Sequence, residues 1–169
     1  MIGGGAAGFF AAITCAENYP DAQVTIIEQN KDVLNKVKIS GGGRCNVTHA
    51  CFDPKELVTF YPRGKKELLG PFHKFQPGDT FDWFEKRGVE LKIEEDNRVF
   101  PVSDQSSTIM DCLTNSAKEA NVNVWNNSKI QSISQNPSGN WTLKTTTGQN
   151  IFANILVLAT GSSPAAWQM

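Results

Sequence analysis

Glycine loses more conformational freedom on folding than any other residue, so clusters of it mark places where something must pass close to bare backbone. Two clusters fall in the first third of this 169-residue chain: Gly3-Gly4-Gly5-Ala6-Ala7-Gly8 and Ser40-Gly41-Gly42-Gly43-Arg44-Cys45-Asn46. The first has the spacing G-x-G-x-x-G. A helix-like run, AAGFFAAITCAENY, follows it, and then a β-branched run, AQVTIIEQN, that ends at Glu28. Each part has a task in dinucleotide chemistry. Gly3 permits a tight turn, Gly5 lets a pyrophosphate approach the backbone, and Gly8 permits close helix–strand packing. Unpaired N–H groups and the positive dipole end at a helix start attract phosphate. Glu28 lies 20 residues beyond Gly8, where an acid at a strand end accepts ribose hydroxyls. A carboxylate there argues against a 2′-phosphate.

The second cluster poses a different question, because a bare nicotinamide site needs no second glycine loop at this point. Lys36 and Lys38 precede it, and Arg44 and Cys45 follow at once. Consecutive N–H groups in such a loop form an anion-binding concavity. Arg44 adds a charge-assisted donor for a phosphate or a reduced flavin. FAD, which extends from adenosine through pyrophosphate to isoalloxazine, accounts for both loops. Two alternatives stay open: an NAD-binding dehydrogenase domain and a non-catalytic module that senses a dinucleotide.

These strings together resemble the BaiN-like (YhiN-type) family of flavoproteins. GGGAAGFFAA, Glu28 and KVKISGGGRCNVTH carry the resemblance, which continues through NRVFPVSDQSS and ends at VLATGSSPAA. Asn97 and Ser162 stand where that family usually has glycine. The resemblance implies an α/β, Rossmann-like FAD-binding domain of the glutathione-reductase type, a ββα three-layer arrangement. It further implies that Gly3, Gly5, Ala6, Ala7 and Gly8 hold the pyrophosphate and Glu28 the adenosine ribose. Lys36 would lie on the ribose or phosphate side. Ser40, Gly41, Gly42, Gly43, Arg44, Cys45 and Asn46 would line the path to the flavin. Ile130 would bond the adenine through its backbone, and Ala159, Thr160 and Gly161 would close a strand end against the cofactor. The activity implied is FAD-dependent oxidation or reduction of a small organic substrate with an NAD(P)H donor.

The elements that must position these groups are legible in outline. In FDPKELVTFY, Asp53 caps, Pro54 takes the first helical position and Glu56 the third. DTFDWFEKRG predicts a short helix ending at Gly88. SSTIMDCLTNSAKEA spaces Ile109, Cys112, Leu113 and Ala117 on one buried helical face. NVNVW, KIQSI, WTLKTTTGQNI and ANILVLAT read as strands, with Gly148 in a turn. Residues 50–120 are too many for a simple crossover and are expected to be an α+β insertion beside the flavin. Both ends look cut: only Met1 and Ile2 precede the first turn, and ILVLATGSSPAAWQM stops after a strand and turn. The expectation is an incomplete FAD-binding domain from a longer protein, its first turn poorly anchored, binding FAD weakly and catalysing nothing by itself.

Composition bounds the rest. Hydrophobic residues make up 40% and charged residues 20%, with a net charge of −1. That balance gives no electrostatic case for nucleic acid or a membrane surface, and the cytoplasm is the expected setting. Cys15, Cys45, Cys51 and Cys112 form no C-x-x-C pair, so reduced thiols rather than zinc are expected. Cys45 has no sequence neighbour that marks an activating base, and packing against a cofactor is favoured over catalysis. His49 and His73 read as surface or satisfied histidines. RGKK, Arg63 to Lys66, reads as a solvated turn. Arg98 and Phe100 read equally as a substrate-facing pair or as a strand edge with a packed aromatic. No catalytic residue is assigned.

Overall fold

The computed structural model describes residues 1–163. Its elements in chain order are α1 (Ala6–Asn18), β1 (Thr25–Ile27), α2 (Asn35–Ile39), β2 (Thr48–His49), α3 (Pro54–Leu57), α4 (Lys65–Lys74), α5 (Pro77–Glu85), β3 (Leu91–Ile93), β4 (Arg98–Pro101), α6 (Ser106–Glu119), β5 (Asn123–Trp125), β6 (Ile130–Gln135), β7 (Trp141–Thr145) and β8 (Asn150–Ala153). Short 3-10 turns lie at Ser40–Gly43 and Val58–Phe60. The chain forms two compact units, Met1–Lys36 with Leu113 onward, and Val37–Cys112. Among the described residues no helix is long and apolar enough to cross a membrane.

The first unit is built on parallel pairing. β1 pairs with β5, Thr25 opposite Asn123 through Ile27 opposite Trp125. Ile2 bridges in parallel to Ile27 on one side and Leu158 on the other. The order across the sheet is therefore β5, β1, the Ile2 segment and the Leu158 segment. Parallel neighbours need a crossover between them, and α1 and α6 occupy two of these connections. Neighbouring side chains in a strand point to opposite faces, and both Ile26 and Ile27 are buried. Helix α1 packs on β1 and buries Phe9, Ala12, Ile13 and Ala16. On the other side Ile27 clusters with Ile130 and Leu143, flanked by Ile2, Ile133, Ile151 and Leu156. Ile130, Ile133, Leu143 and Ile151 belong to the antiparallel meander β6-β7-β8. Helix, parallel sheet and antiparallel sheet make the Rossmann-like three-layer arrangement.

Two details differ from the sequence reading. The segment ANILVLAT is not one strand: Ala153 ends β8, and beyond it a single bridge at Leu158 is carried by the hydrogen bonds from Ile2 N to Val157 O and from Ala159 N to Ile2 O. The residues before the first turn, though few, are anchored on both sides. Gly3 N donates to Ile27 O at 2.9 Å and Ile27 N to Met1 O at 2.9 Å. The expectation of a poorly anchored turn at Gly3 is thereby corrected: two residues suffice because Met1 bonds β1 on one side and Ile2 bonds Val157 and Ala159 on the other.

The second unit is a three-stranded antiparallel sheet, β2-β4-β3, with α3, α4 and α5. Asp53 caps α3, its carboxylate accepting from Lys55 N at 2.8 Å, and α5 ends before Gly88, which takes φ 76°. Val99 and Phe100 of β4 are fully buried. Helix α6 begins in this unit and ends in the first, burying Ile109, Cys112, Leu113 and Ala117 as the spacing predicts. Helix α4 contains Pro71 and half-buries one face, Leu68, Leu69 and Phe72; the sequence reading did not single it out.

Candidate functional site

The first turn is shaped by what its glycines must avoid. Gly3 has φ 109°, and a Cβ there would lie 2.4 Å from Ala159 O. A Cβ on Gly8 would lie 1.9 Å from Gly3 O, so the start of α1 rests directly on the turn. Gly5 is the opposite case, with nothing within 4 Å of an added Cβ. The backbone is thus crowded from within at Gly3 and Gly8 and open outward at Gly5.

Gly5 is the N-cap of α1 and supplies no side-chain cap. The first helical N–H to find a backbone carbonyl is that of Phe9, to Gly5 O at 3.0 Å. The N–H groups of Ala6, Ala7 and Gly8 precede it, in the first turn, where an α-helix leaves its donors without intrahelical partners. Ala6 and Ala7 are exposed and the first turn holds no acid. An anion with several acceptor oxygens fits this cradle, and its charge meets the positive end of the helix dipole.

Glu28 closes the other side of the turn. It is 8% exposed. Its Oε2 accepts from Gly4 N at 2.7 Å, and its Oε1 accepts from Asn30 N at 2.9 Å and Asn30 Nδ2 at 2.7 Å. A Cβ on Gly4 would press to 2.9 Å from Val33 and 3.1 Å from Glu28. Leu34, buried at φ 58°, donates its N–H to Gly4 O at 2.7 Å. Gly4 and Asn30 are therefore part of the turn, and the sequence reading missed both. The signal for Gly4 was the unbroken run of three glycines, one more than the motif needs.

Lys36 donates from Nζ to Ser162 Oγ at 2.7 Å, and a Cβ on Gly161, at φ 60°, would lie 3.5 Å from the same Nζ. Ala159 and Thr160 lie against Gly3, where they meet the hypothetical Cβ. The structure therefore gathers Gly3, Gly5, Ala6, Ala7, Gly8, Glu28, Lys36, Ala159, Thr160 and Gly161 in the first unit, around one strand end. Ile130 is in the same unit, and its side chain is core.

Ser40 to Asn46 fold in the second unit. Gly41, Gly42 and Gly43 take φ 56°, 69° and 87°, and Cys45 takes φ 65°. Gly41 is packed tightly, with a Cβ reaching 2.7 Å from Phe100 Cε1, whereas Gly42 and Gly43 face open space. Ser40 O accepts from Cys45 N at 3.0 Å. With its amide turned to donate, Asn46 reaches Thr48 O at 3.0 Å. The Arg44 guanidinium stacks on Phe100 at 3.9 Å, ion-pairs with Glu94 and lies 3.4 Å from Asp104. Lys92 pairs with Asp104 as well. The hydrogen bond from Lys92, then the charge of Arg44, hold the Asp104 carboxyl below its ordinary value. Arg44 thus already has carboxylate partners, and here it acts as a latch on the glycine loop. Phe100 is fully buried with the Arg98 guanidinium over its ring at 5.4 Å, so the aromatic is packed, but β4 is the central strand of its sheet and not an edge. Burial pushes the Cys45 thiol up, which suppresses the thiolate. His49 stacks against Phe60 at 4.8 Å between ring centroids.

The fold and the glycine turn together define a Rossmann-type nucleotide-binding protein. The model of the HI0933-like protein Rossmann domain matches residues 1–167, and the chain belongs to that family. Among curated relatives, it is 29% identical over 161 residues to the 3-dehydro-bile acid delta(4,6)-reductase of Clostridium scindens, covering 95% of this chain and 38% of the relative. It matches the ribosomal RNA dihydrouridine synthase of Escherichia coli at the same identity and coverage. The chain thus spans under two-fifths of the length of these relatives. Among solved structures it resembles the 3-ketosteroid-delta4-(5alpha)-dehydrogenase of Rhodococcus jostii, with TM-score 0.62 at 15% identity, over 90% of this chain and 43% of that one. It also resembles halogenase PltM, solved with phloroglucinol and FAD, with TM-score 0.53 at 16% identity, over 99% and 35%. These two likenesses concern the fold.

Proposed function

We propose that this chain is the FAD-holding part of a flavin-dependent oxidoreductase. The observation that carries the reading is the start of α1: backbone donors without a side-chain cap, open space above Gly5, and a buried carboxylate at the neighbouring strand end. In this reading Gly3, Gly5, Ala6, Ala7 and Gly8 hold the pyrophosphate and Glu28 the ribose, with Lys36, Ala159, Thr160 and Gly161 beside them. Ile130 meets the adenine through its backbone. Ser40 to Asn46 line the flavin, an assignment supported by the open backbone at Gly42 and Gly43. Bound FAD supplies two-electron hydride chemistry, while the protein binds and orients.

The finer proposal is the reaction. The names of both curated relatives describe saturation of a carbon–carbon double bond, in a bile acid and in a uridine. We assign this chain to the same chemistry, reduction of a carbon–carbon double bond with an NAD(P)H donor, in a cytoplasmic setting. The net charge of −1 favours a small organic substrate over a polyanion. Turnover is proposed for a protein of the relatives' length, not for these residues alone.

The test is spectroscopic. Titration of the purified chain with FAD, followed by fluorescence quenching, should saturate, and NAD titrated in its place should not compete. A protein of the relatives' length should carry flavin absorbance that bleaches anaerobically on adding NADH or NADPH. Binding of NAD in preference to FAD would overturn the reading in favour of a nicotinamide dehydrogenase domain. Retention of FAD with no bleaching by either donor would remove the donor assignment and leave a dinucleotide sensor.

A further inference from the structure

A carboxylate offers about four lone-pair sites, two on each oxygen. In Glu28 three are filled by the protein. Oε1 carries both Asn30 donors, at 2.9 and 2.7 Å, and is full. Oε2 carries Gly4 N at 2.7 Å and has one site left. The three donors fix the carboxylate, and the backbone it stands on is held on both sides. Glu28 N donates to Trp125 O at 2.8 Å, and Glu28 O accepts from Ser128 N at 2.8 Å. Asn30 is fixed as well, its carbonyl accepting from Asn127 N at 3.0 Å.

We infer that Asn30 restricts Glu28 to a single ribose hydroxyl, accepted at Oε2, and so sets which sugar hydroxyl this protein reads. The inference rests on the proposed role of Glu28 at the adenosine ribose. A vicinal diol has two O–H donors, and an unencumbered carboxylate could accept both. Here the side chain and the backbone N–H of one residue occupy the oxygen that would take the second. Asn30 is thus a positioning residue: it acts on the nucleotide through the carboxylate. Its own exposure makes the amide an inexpensive group to change. Removing it frees one site on Oε1, since the backbone N–H remains.

The experiment uses ADP, 2′-deoxy-ADP and 3′-deoxy-ADP, titrated into the full chain and followed by chemical-shift perturbation. All groups proposed to hold this half of the cofactor lie in the first unit. In the wild type one deoxy compound should bind about tenfold weaker than ADP, the scale of a hydrogen bond to a charged acceptor. The other should match ADP within about twofold. Asn30→Ala should keep the first difference and add a second, so that both deoxy compounds fall below ADP. Equal weakening by both in the wild type would overturn the inference, because Oε1 would then be available. An unchanged pattern in Asn30→Ala would overturn it too, since Asn30 would not be the restriction. If the wild type binds all three equally, or none, the ribose role of Glu28 fails and the inference falls with it. The wild-type comparison decides even if the variant folds poorly.

Discussion

Gly5 and Gly8 are three residues apart in one motif, and the structure assigns them separable tasks. A Cβ on Gly8 would lie 1.9 Å from Gly3 O, whereas one on Gly5 meets nothing within 4 Å. In Gly8→Ala the start of α1 must retreat by about 1 Å to reach a tolerable contact. Retreat loosens Phe9, Ala12, Ile13 and Ala16, which α1 buries. Overpacking of this kind costs about 1–3 kcal/mol, and alanine recovers at most about 1 kcal/mol of helix propensity. Because the obstacle is backbone, the cost should fall at the upper end, a net loss of about 2 kcal/mol. That corresponds to a drop of about 4–8 °C in Tm for a chain of this size. Gly5→Ala should lower Tm by only about 2–4 °C, because its methyl group meets no clash but alanine is the poorer N-cap by about 1 kcal/mol. Its methyl group would instead stand where an anion approaches, and ADP affinity should fall about tenfold or more. Thermal melts and ADP titrations of both variants are the assay. A Gly8→Ala protein that melts with the wild type would refute the packing argument. A Gly5→Ala protein that binds ADP normally would refute the cradle.

Glu28→Ala should destabilise the nucleotide-free chain by about 1–3 kcal/mol, because it orphans the buried Gly4 N–H while the exposed Asn30 donors turn to water; urea unfolding without ligand measures this, and an unchanged midpoint would contradict the network. In a protein of the relatives' length, Gly42→Val should abolish FAD retention at modest cost to the fold: φ is 69° with open space around, so only about 1–2 kcal/mol of backbone strain is incurred, and flavin occupancy of the purified variant decides. Native-state alkylation should be slow at Cys45 and Cys51, whose thiols burial pushes up, and fast labelling of Cys45 would reopen a chemical role for it. Asp104 is held below its ordinary value by Lys92 and then Arg44, so its contribution is intact above the usual carboxylate range and fades as pH falls through its lowered value. Asp104→Asn should therefore flatten the acid limb of a Tm-against-pH curve, slightly, because the group is solvent-exposed.

Local rules were enough for what is local. The tight turn at Gly3 and the close packing at Gly8 follow from spacing alone, and the buried face of α6 follows from its period of hydrophobic residues. What escaped depends on partners distant in sequence. Arg44 reads as a free cation until Glu94 and Asp104, 50 and 60 residues on, are brought beside it. Asn30 is the exception: its partner Glu28 is only two residues back, and the residue was not singled out. Leu34 at positive φ is against the local preference of a bulky side chain; its burial at 1% exposed and its bond to Gly4 O offset the strain. Helix α4 was not singled out: its apolar face is only Leu68, Leu69 and Phe72, and Pro71 interrupts the run.

The two departures from the expected glycines resolve differently, and the contrast bears on the site. Asn97 takes φ 63° in the turn between β3 and β4, with its N–H donating to Glu94 O at 2.9 Å. Asparagine tolerates the left-handed region better than most side chains, so this substitution preserves the backbone and changes little else. Ser162 is not held at positive φ; its neighbour Gly161 carries that conformation at 60°. The hydroxyl it adds receives Lys36 Nζ at 2.7 Å, tying the linker after Glu28 to the turn at the opposite strand. An ammonium has three donors, so two remain for an anion while the third fixes the side chain. A serine in place of glycine therefore does more than fit: it holds the exposed Lys36 ammonium over Gly161, two residues beyond the Ala159 carbonyl that crowds Gly3.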